Sequence, residues 1–297
     1  MRHMLVIVVG LGLGVWSPSA ATAQSADLAA LAAHVQALQA TIAALQAATG
    51  TATVPSLAED ATGVLPFEIP SDIPFAGTEG DTNTHLGTNA LDNNTTGYAN
   101  TAIGAEALHE NTEGWRNTAS GYYALNANTE GHYNTAIGAY ALSYNTEGSQ
   151  NTASGGFALW ANETGSFNTA SGAAALAANI GGNNNTASGT EALYENTEGS
   201  FNTASGTYTL ASNTEGNANT ASGAYALHDN TEGNENTASG YKALHDNETG
   251  DNNTAVGYKS GYNALGSDNV FLGYMAGYNE TGSDTLYIAN SDTSNPL

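Results

Sequence analysis

An Asn-Thr pair returns every 17 residues from Asn83 to Asn253, through Asn100, Asn117, Asn134 and onwards, without a slip. The unit reads N-T-A-[S/I]-G-x-x-A-L-x-x-N-T-E-G-x-x, and its positions are numbered here from that first Asn. A fixed short period means one structural unit stacked many times, each copy touching only its neighbours. Seventeen residues are too few for a pair of helices. They suit one coil of a β-solenoid, in which strand stacking adds ~4.8 Å along the axis per coil. The expected class is therefore all-β, a β-solenoid or β-roll, with two short strands per coil, one at Thr-Ala-[Ser/Ile] and one at Ala-Leu.

The fixed positions make sense as parts of such a coil. Leu91 through Leu244 at position 9 form the candidate interior row, and Ala at positions 3 and 8 is small enough to let two thin walls approach. The Gly rows, from Gly87 to Gly257 and from Gly97 to Gly250, mark corners that need positive φ or close backbone approach. Asn at positions 1 and 12 is expected to stack into ladders whose amides bond coil to coil.

The flanks divide the chain further. Residues 1–23 have a short basic start, an apolar run from Leu5 to Trp16 and an Ala-Thr-Ala ending, the pattern of a secretory signal peptide cleaved after Ala23. The run is too short to span a bilayer, which takes about 20 residues, and no transmembrane helix is expected. In 24–49, Leu28, Val35 and Ile42 share one heptad position and Leu31, Leu38 and Leu45 another, which predicts a short helical coiled-coil segment. The seam does not fix the number of strands, although β-branched residues beside Leu lean towards a dimer. Residues 50–82, with Pro55, Pro66, Pro70 and Pro74, read as a linker or cap, 83–266 as the repeat array, and 267–297 as a degenerate coil and C-terminal cap. The expected destination is the cell surface or the medium.

Charge narrows the partners. Four Lys plus Arg against 28 Asp plus Glu give a net charge of -24, which excludes the positive face that nucleic acid requires. With no cysteine there are no disulfides and no thiolate metal sites.

The Asn-Thr-Ala-Ile-Gly of 100–104, the Asn-Thr-Ala-Val-Gly of 253–257 and the Ala-Leu rows resemble the head repeats of trimeric autotransporter adhesins of the YadA-like type. The tail, from Asn269-Val270-Phe271-Leu272-Gly273 to Tyr287-Ile288-Ala289-Asn290-Ser291-Asp292, is similar to the repeat-to-neck passage of tail-spike-type proteins that end in a chaperone domain. The resemblance covers roughly 83–297 and implies a left-handed β-roll, three chains per assembly and attachment to a surface. Family head repeats are commonly shorter than these. Neither a barrel anchor nor a chaperone domain follows within the sequence, so a truncated chain or a soluble relative is expected.

Several rows are candidate sites. Position 4 is apolar near the array ends and Ser in the middle, and position 2 shares its face on a strand. If that face points outward, Thr118 and Ser120, Thr152 and Ser154, Thr169 and Ser171, Thr186 and Ser188, Thr203 and Ser205, Thr220 and Ser222, and Thr237 and Ser239 form a hydroxyl lattice fit to order water or bind ice. If it points inward or against another chain, the rows are structural. Tyr123, Tyr140, Phe157, Tyr208 and Tyr225 form an aromatic row at position 7, either packing or a sugar-binding strip. Glu113, Glu130 and Glu147, then Glu198, Glu215 and Glu232, stack as an acidic edge that solvent can carry. His228-Asp229 and His245-Asp246 lie in phase on adjacent coils, as a weak metal signal or as ordinary turn residues of a duplicated unit.

Catalysis needs a unique convergence of unlike groups, whereas every Ser, Asp and Glu of note here is one copy of a row. No enzyme activity, cofactor or metal is therefore expected. The expected role is structural or adhesive, presenting a repetitive surface to cells, matrix or glycans. An ice- or water-ordering protein is the alternative, and a secreted or phage-derived fibre segment the third.

Overall fold

The structure, a computed structural model, describes residues 82–289. The segments expected to be signal peptide, coiled coil and linker, up to residue 81, and the last eight residues lie outside the described residues. From 82 onward the chain winds into a parallel β-solenoid with a single 13-stranded sheet, its strands ordered as they occur in sequence. β1 (Thr84–Leu86), β2 (Thr101–Ile103) and their successors to β11 (Thr254–Val256) start every 17 residues. β12 (Val270–Leu272) and β13 (Leu286–Ile288) follow at intervals of 16. Identical positions face each other throughout, as in Thr186↔Thr203, Ala187↔Ala204 and Ser188↔Ser205.

Only one of the two strands expected in each coil forms. The Ala-Leu segment is a turn, because Leu at position 9 is left-handed, with φ between 50° and 57° from Leu91 to Leu244. Positions 7 and 17 are left-handed as well, as at Glu191 (φ 54) and Phe201 (φ 61). Such a conformation costs a non-glycine residue roughly 1–2 kcal/mol. It also swings the N–H parallel to the axis, where a neighbouring coil accepts it. Glu191 donates to Ala173 O (3.0 Å) in the preceding coil, Leu193 to Thr209 O (3.0 Å) in the following one, and Phe201 to Asn183 O (2.9 Å) in the preceding one. The turn wall is thus hydrogen-bonded along the stack without being a sheet.

The interior is half apolar and half amide. Ala at positions 3 and 8 and Leu at position 9 are buried along the array, and so are the two Asn rows. In one coil, Asn185 Nδ2 and Asn196 Nδ2 both donate to Gly199 O, at 2.8 and 2.9 Å, which closes the loop. Along the axis, Asn196 Nδ2 donates to Asn179 Oδ1 (2.8 Å), and Asn185 Oδ1 accepts the backbone N–H of Asn202 (2.9 Å). Each buried amide is therefore satisfied both within its coil and between coils, and an unmade partner would cost about 1–3 kcal/mol. Among the N-x-[S/T] sequons, Asn162-Glu163-Thr164 and Asn247-Glu248-Thr249 have their Asn in this ladder with no exposure, whereas in Asn279-Glu280-Thr281 the Asn is exposed.

Glycine is required at the corners for two different reasons. At position 5, Gly172 has φ +140 and a Cβ there would meet Gly189 O at 2.4 Å. At position 15, Gly199 has ordinary φ, but a Cβ would meet Asn196 Oδ1 and Gly216 O, both at 2.5 Å.

The tail is not simply degenerate. Leu at position 9 gives way to Gly261 and Gly277, both at φ 60, while Ala at position 3 gives way to Phe271 and Tyr287. The Phe271 ring fills the room left by the lost leucines: a Cβ on Gly261 would meet it at 2.6 Å and one on Gly277 at 2.2 Å. β13 pairs in register with β12, Phe271↔Tyr287, so the solenoid extends past residue 266 to at least Ile288.

Candidate functional site

Because Ala at position 3 points into the core, positions 2 and 4 point out. The strands from Thr152–Ser154 to Thr237–Ser239 each show an exposed Thr, a buried Ala and an exposed Ser. This settles the direction of the Thr-Ser face within one chain. The inward reading does not hold, since the position-3 alanines from Ala102 to Ala255 already fill the interior, none more than 1% exposed. Thr118 is exposed and Ser120 partly covered in the same row.

The face changes character along its length. Leu86, Ile103 and Ile137 stand on it near its start and Val256, Leu272, Leu286 and Ile288 near its end, all between 36% and 57% exposed. Between Thr152 and Ser239 every outward strand position carries a hydroxyl. In-register pairing repeats each row at the strand spacing, ~4.8 Å.

The turn wall carries the aromatics. Of the expected row, Tyr123, Tyr140 and Phe157 stack at 5.5 and 5.0 Å, and Tyr208 stacks on Tyr225 at 5.2 Å. The row joins a cluster with Tyr122, Tyr144 and Trp160, each at least 37% exposed. Stacking within the ladder uses the ring faces and leaves mostly edges to solvent, a poor fit to a continuous strip for sugar stacking. Burial, then the charge of Tyr122 and a hydrogen bond to it, hold the Tyr140 hydroxyl above its usual pKa, and the charge of Glu191 does so first for Tyr208.

Two further ladders escaped the sequence reading. Tyr241, Tyr258 and Tyr274 stack at position 6, at 5.5 and 5.2 Å. His228, His245, Tyr262 and Tyr278 stack at position 10, at 5.1, 4.9 and 5.1 Å, with planes within 10°. Lys242 and Lys259 at position 7 lie between these ladders, Lys242 5.2 Å from the Tyr225 ring and Lys259 5.3 Å from that of Tyr262. The sequence reading pairs His228 with His245, but carrying positions 6 and 10 onward, with the 16-residue step after Asn253, would have added Tyr262 and Tyr278 and found the position-6 row. Burial raises the Tyr262 pKa, with Asp246 adding to it.

The remaining rows are simpler. Glu113, Glu130, Glu147, Glu198, Glu215 and Glu232 are all exposed. The His-Asp pairs do meet: His228 Nδ1 lies 2.6 Å from Asp229 Oδ1, and His245 Nδ1 lies 2.5 Å from Asp246 Oδ1 and 3.5 Å from Asp229 Oδ2. Among the described residues no helix is long and apolar enough to cross a membrane.

Compared with known proteins, the chain matches no family model, no curated protein and no solved structure.

Proposed function

We propose that this chain is an exported structural and adhesive repeat protein, which presents rows of identical groups on a rigid solenoid to cells, matrix or glycans. Residues 1–23 direct export and are removed. The heptad pattern of 24–49 and the open sheet face together support a homotrimer of YadA-like type. The observation that carries this reading is the open sheet face, hydroxylated in the middle and apolar at both ends. Large aliphatic side chains left 36–57% exposed on one flat face are suited to burial against other chains. The aromatic and acidic rows outside that contact then repeat many times over, so weak contacts add up through multivalency.

The test is the absolute mass of residues 24–297, by light scattering after size exclusion. A trimer is expected. A monomer would sink this reading.

A second reading is favoured by the unbroken Thr-x-Ser rows from Thr152 to Ser239: the face stays open and orders water or binds ice. It predicts a monomer with ice affinity, lost in Ser188→Tyr while the circular dichroism spectrum is unchanged. A monomer without ice affinity would contradict both readings.

A further inference from the structure

We infer that His228, Asp229 and His245, with Asp246 beside them, form a site for a divalent transition-metal ion such as Zn2+ or Ni2+. The two His-Asp pairs occupy positions 10 and 11 of successive coils, so the stacking that builds the solenoid also builds the cluster. One ligand atom from each of His228, Asp229 and His245 can be chosen so that all three lie within 4.8 Å of one another, and this is the only such group of His and carboxylates among the described residues. Asp229 is the bridge, with Oδ1 towards His228 and Oδ2 towards His245. Both imidazoles thus turn Nδ1, not Nε2, to the same carboxylate.

The groups are held in place before any ion arrives. Asp229 N donates to His245 O and Asp246 N to Tyr262 O, both at 2.9 Å, which locks the backbone of one coil to the next. The His245 ring stacks on Tyr262 at 4.9 Å and 10°, with only 13% of its side chain exposed. Two imidazoles and two carboxylates suit Zn2+, Ni2+ or Cu2+, which favour nitrogen with some oxygen. They do not suit Ca2+, which takes six to eight oxygens. Binding an ion through Nδ1 takes the neutral tautomer with its proton on Nε2, and two carboxylates balance the charge of the ion. Nδ1 atoms on rings stacked 5.1 Å apart must draw together to share one ion, so the rings must tilt out of their 9° alignment.

His109 offers an internal contrast. It faces Glu106 (3.7 Å) and Glu110 (3.0 Å) but has no second imidazole, so it lacks the donor set.

Titration calorimetry of the untagged chain with ZnCl2, NiCl2 and CaCl2 tests the site. The expected result is one Zn2+ or Ni2+ per chain that is weakened at least 10-fold in His228→Ala/His245→Ala, unchanged in His109→Ala, and not matched by Ca2+. The double variant should fold, because Ala177 and Ala211 already stand at position 10 in other coils, and circular dichroism checks this. In long-range proton–nitrogen spectra, Nδ1 of both histidines should shift on adding Zn2+. No transition-metal binding, or binding that the double variant keeps, overturns the inference, as does a preference for Ca2+.

Discussion

The coils that start at β1 to β10 and those that start at Asn253 fill the same interior from opposite walls. In the first group Leu at position 9 reaches in from the turn wall at left-handed φ, against Ala on the sheet wall in every coil but the first, where His85 stands. In the second the turn wall has only Gly261 and Gly277, which take φ 60 without steric cost, and Phe271 reaches in from the sheet wall instead. What the stack preserves is interior volume and a left-handed backbone at position 9, not the identity of either residue. The position-1 Asn row crosses the change, for Asn253 Oδ1 still accepts from Asn269 N (3.0 Å) and Asn269 Oδ1 from Thr285 N (3.0 Å), whereas the position-12 row ends at Asn247, where Ala264 follows.

The largest effect should come from Phe271→Ala, which empties a space that no leucine backs up and should cost about 3–5 kcal/mol. Each coil touches only its neighbours, so the loss should be local. Hydrogen exchange should quicken from Asn253 onward and leave the coils from Asn100 to Asn219 protected. Adding Gly277→Leu to that variant should restore at least half of the loss, although Gly277→Leu alone should destabilise by meeting the Phe271 ring. If the double variant is no better than Phe271→Ala, the volume-exchange account of the tail is wrong.

Leu193→Ala is the matching change in the regular array, with an expected cost of about 2–5 kcal/mol. Here the damage lies mid-stack, so denaturant titration should lose its single transition as the two halves separate. Asn185→Ala should cost about 1–3 kcal/mol, since it orphans the buried Asn202 N–H while Asn196 still serves Gly199 O. A neutral result would remove the amide ladder from the list of forces that hold the coils together.

The smallest effect should be a pH dependence confined to the tail. The Tyr287 hydroxyl donates to Glu280 Oε2, and Gly282 N donates to Oε1 (2.6 Å), which hold the Glu280 carboxyl below its ordinary pKa. A depressed carboxylate adds stability above its unfolded pKa, about 4.3, that fades as pH falls through the lower folded value. Exchange of the β13 amides should therefore quicken in acid, and Glu280→Gln should abolish that dependence.

The period alone carried most of the architecture. Asn at 1 and 12, Leu at 9 and Gly at 5 and 15 each had a physical reason visible in the sequence, and each took the expected place. The Ala-Leu segment did not, because the apolar pair looks like a strand while its backbone is left-handed. Side-chain type does not report φ when hydrogen bonds from neighbouring coils offset the strain. The direction of the Thr-Ser face was ambiguous for a related reason: Ile103 and Val256 suggested an inner face, yet Ala at position 3 already fills that interior. The aromatic ladders at positions 6 and 10 were within reach of the same periodic reading. The Phe271 exchange was not, since it joins residues that sit at different positions of successive coils.

The central claim is that every coil advances the stack by one strand spacing with its Ser pointing out, and a pair of spin labels measures this directly. The chain has no cysteine, so Ser120→Cys/Ser239→Cys labels two sites seven coils apart. Pulsed electron resonance, on a sample diluted with unlabelled chain, should give one narrow distance of about 34 Å, seven strand spacings of ~4.8 Å. A broad distribution, or a distance far from that value, would contradict the solenoid and the surface rows that depend on it.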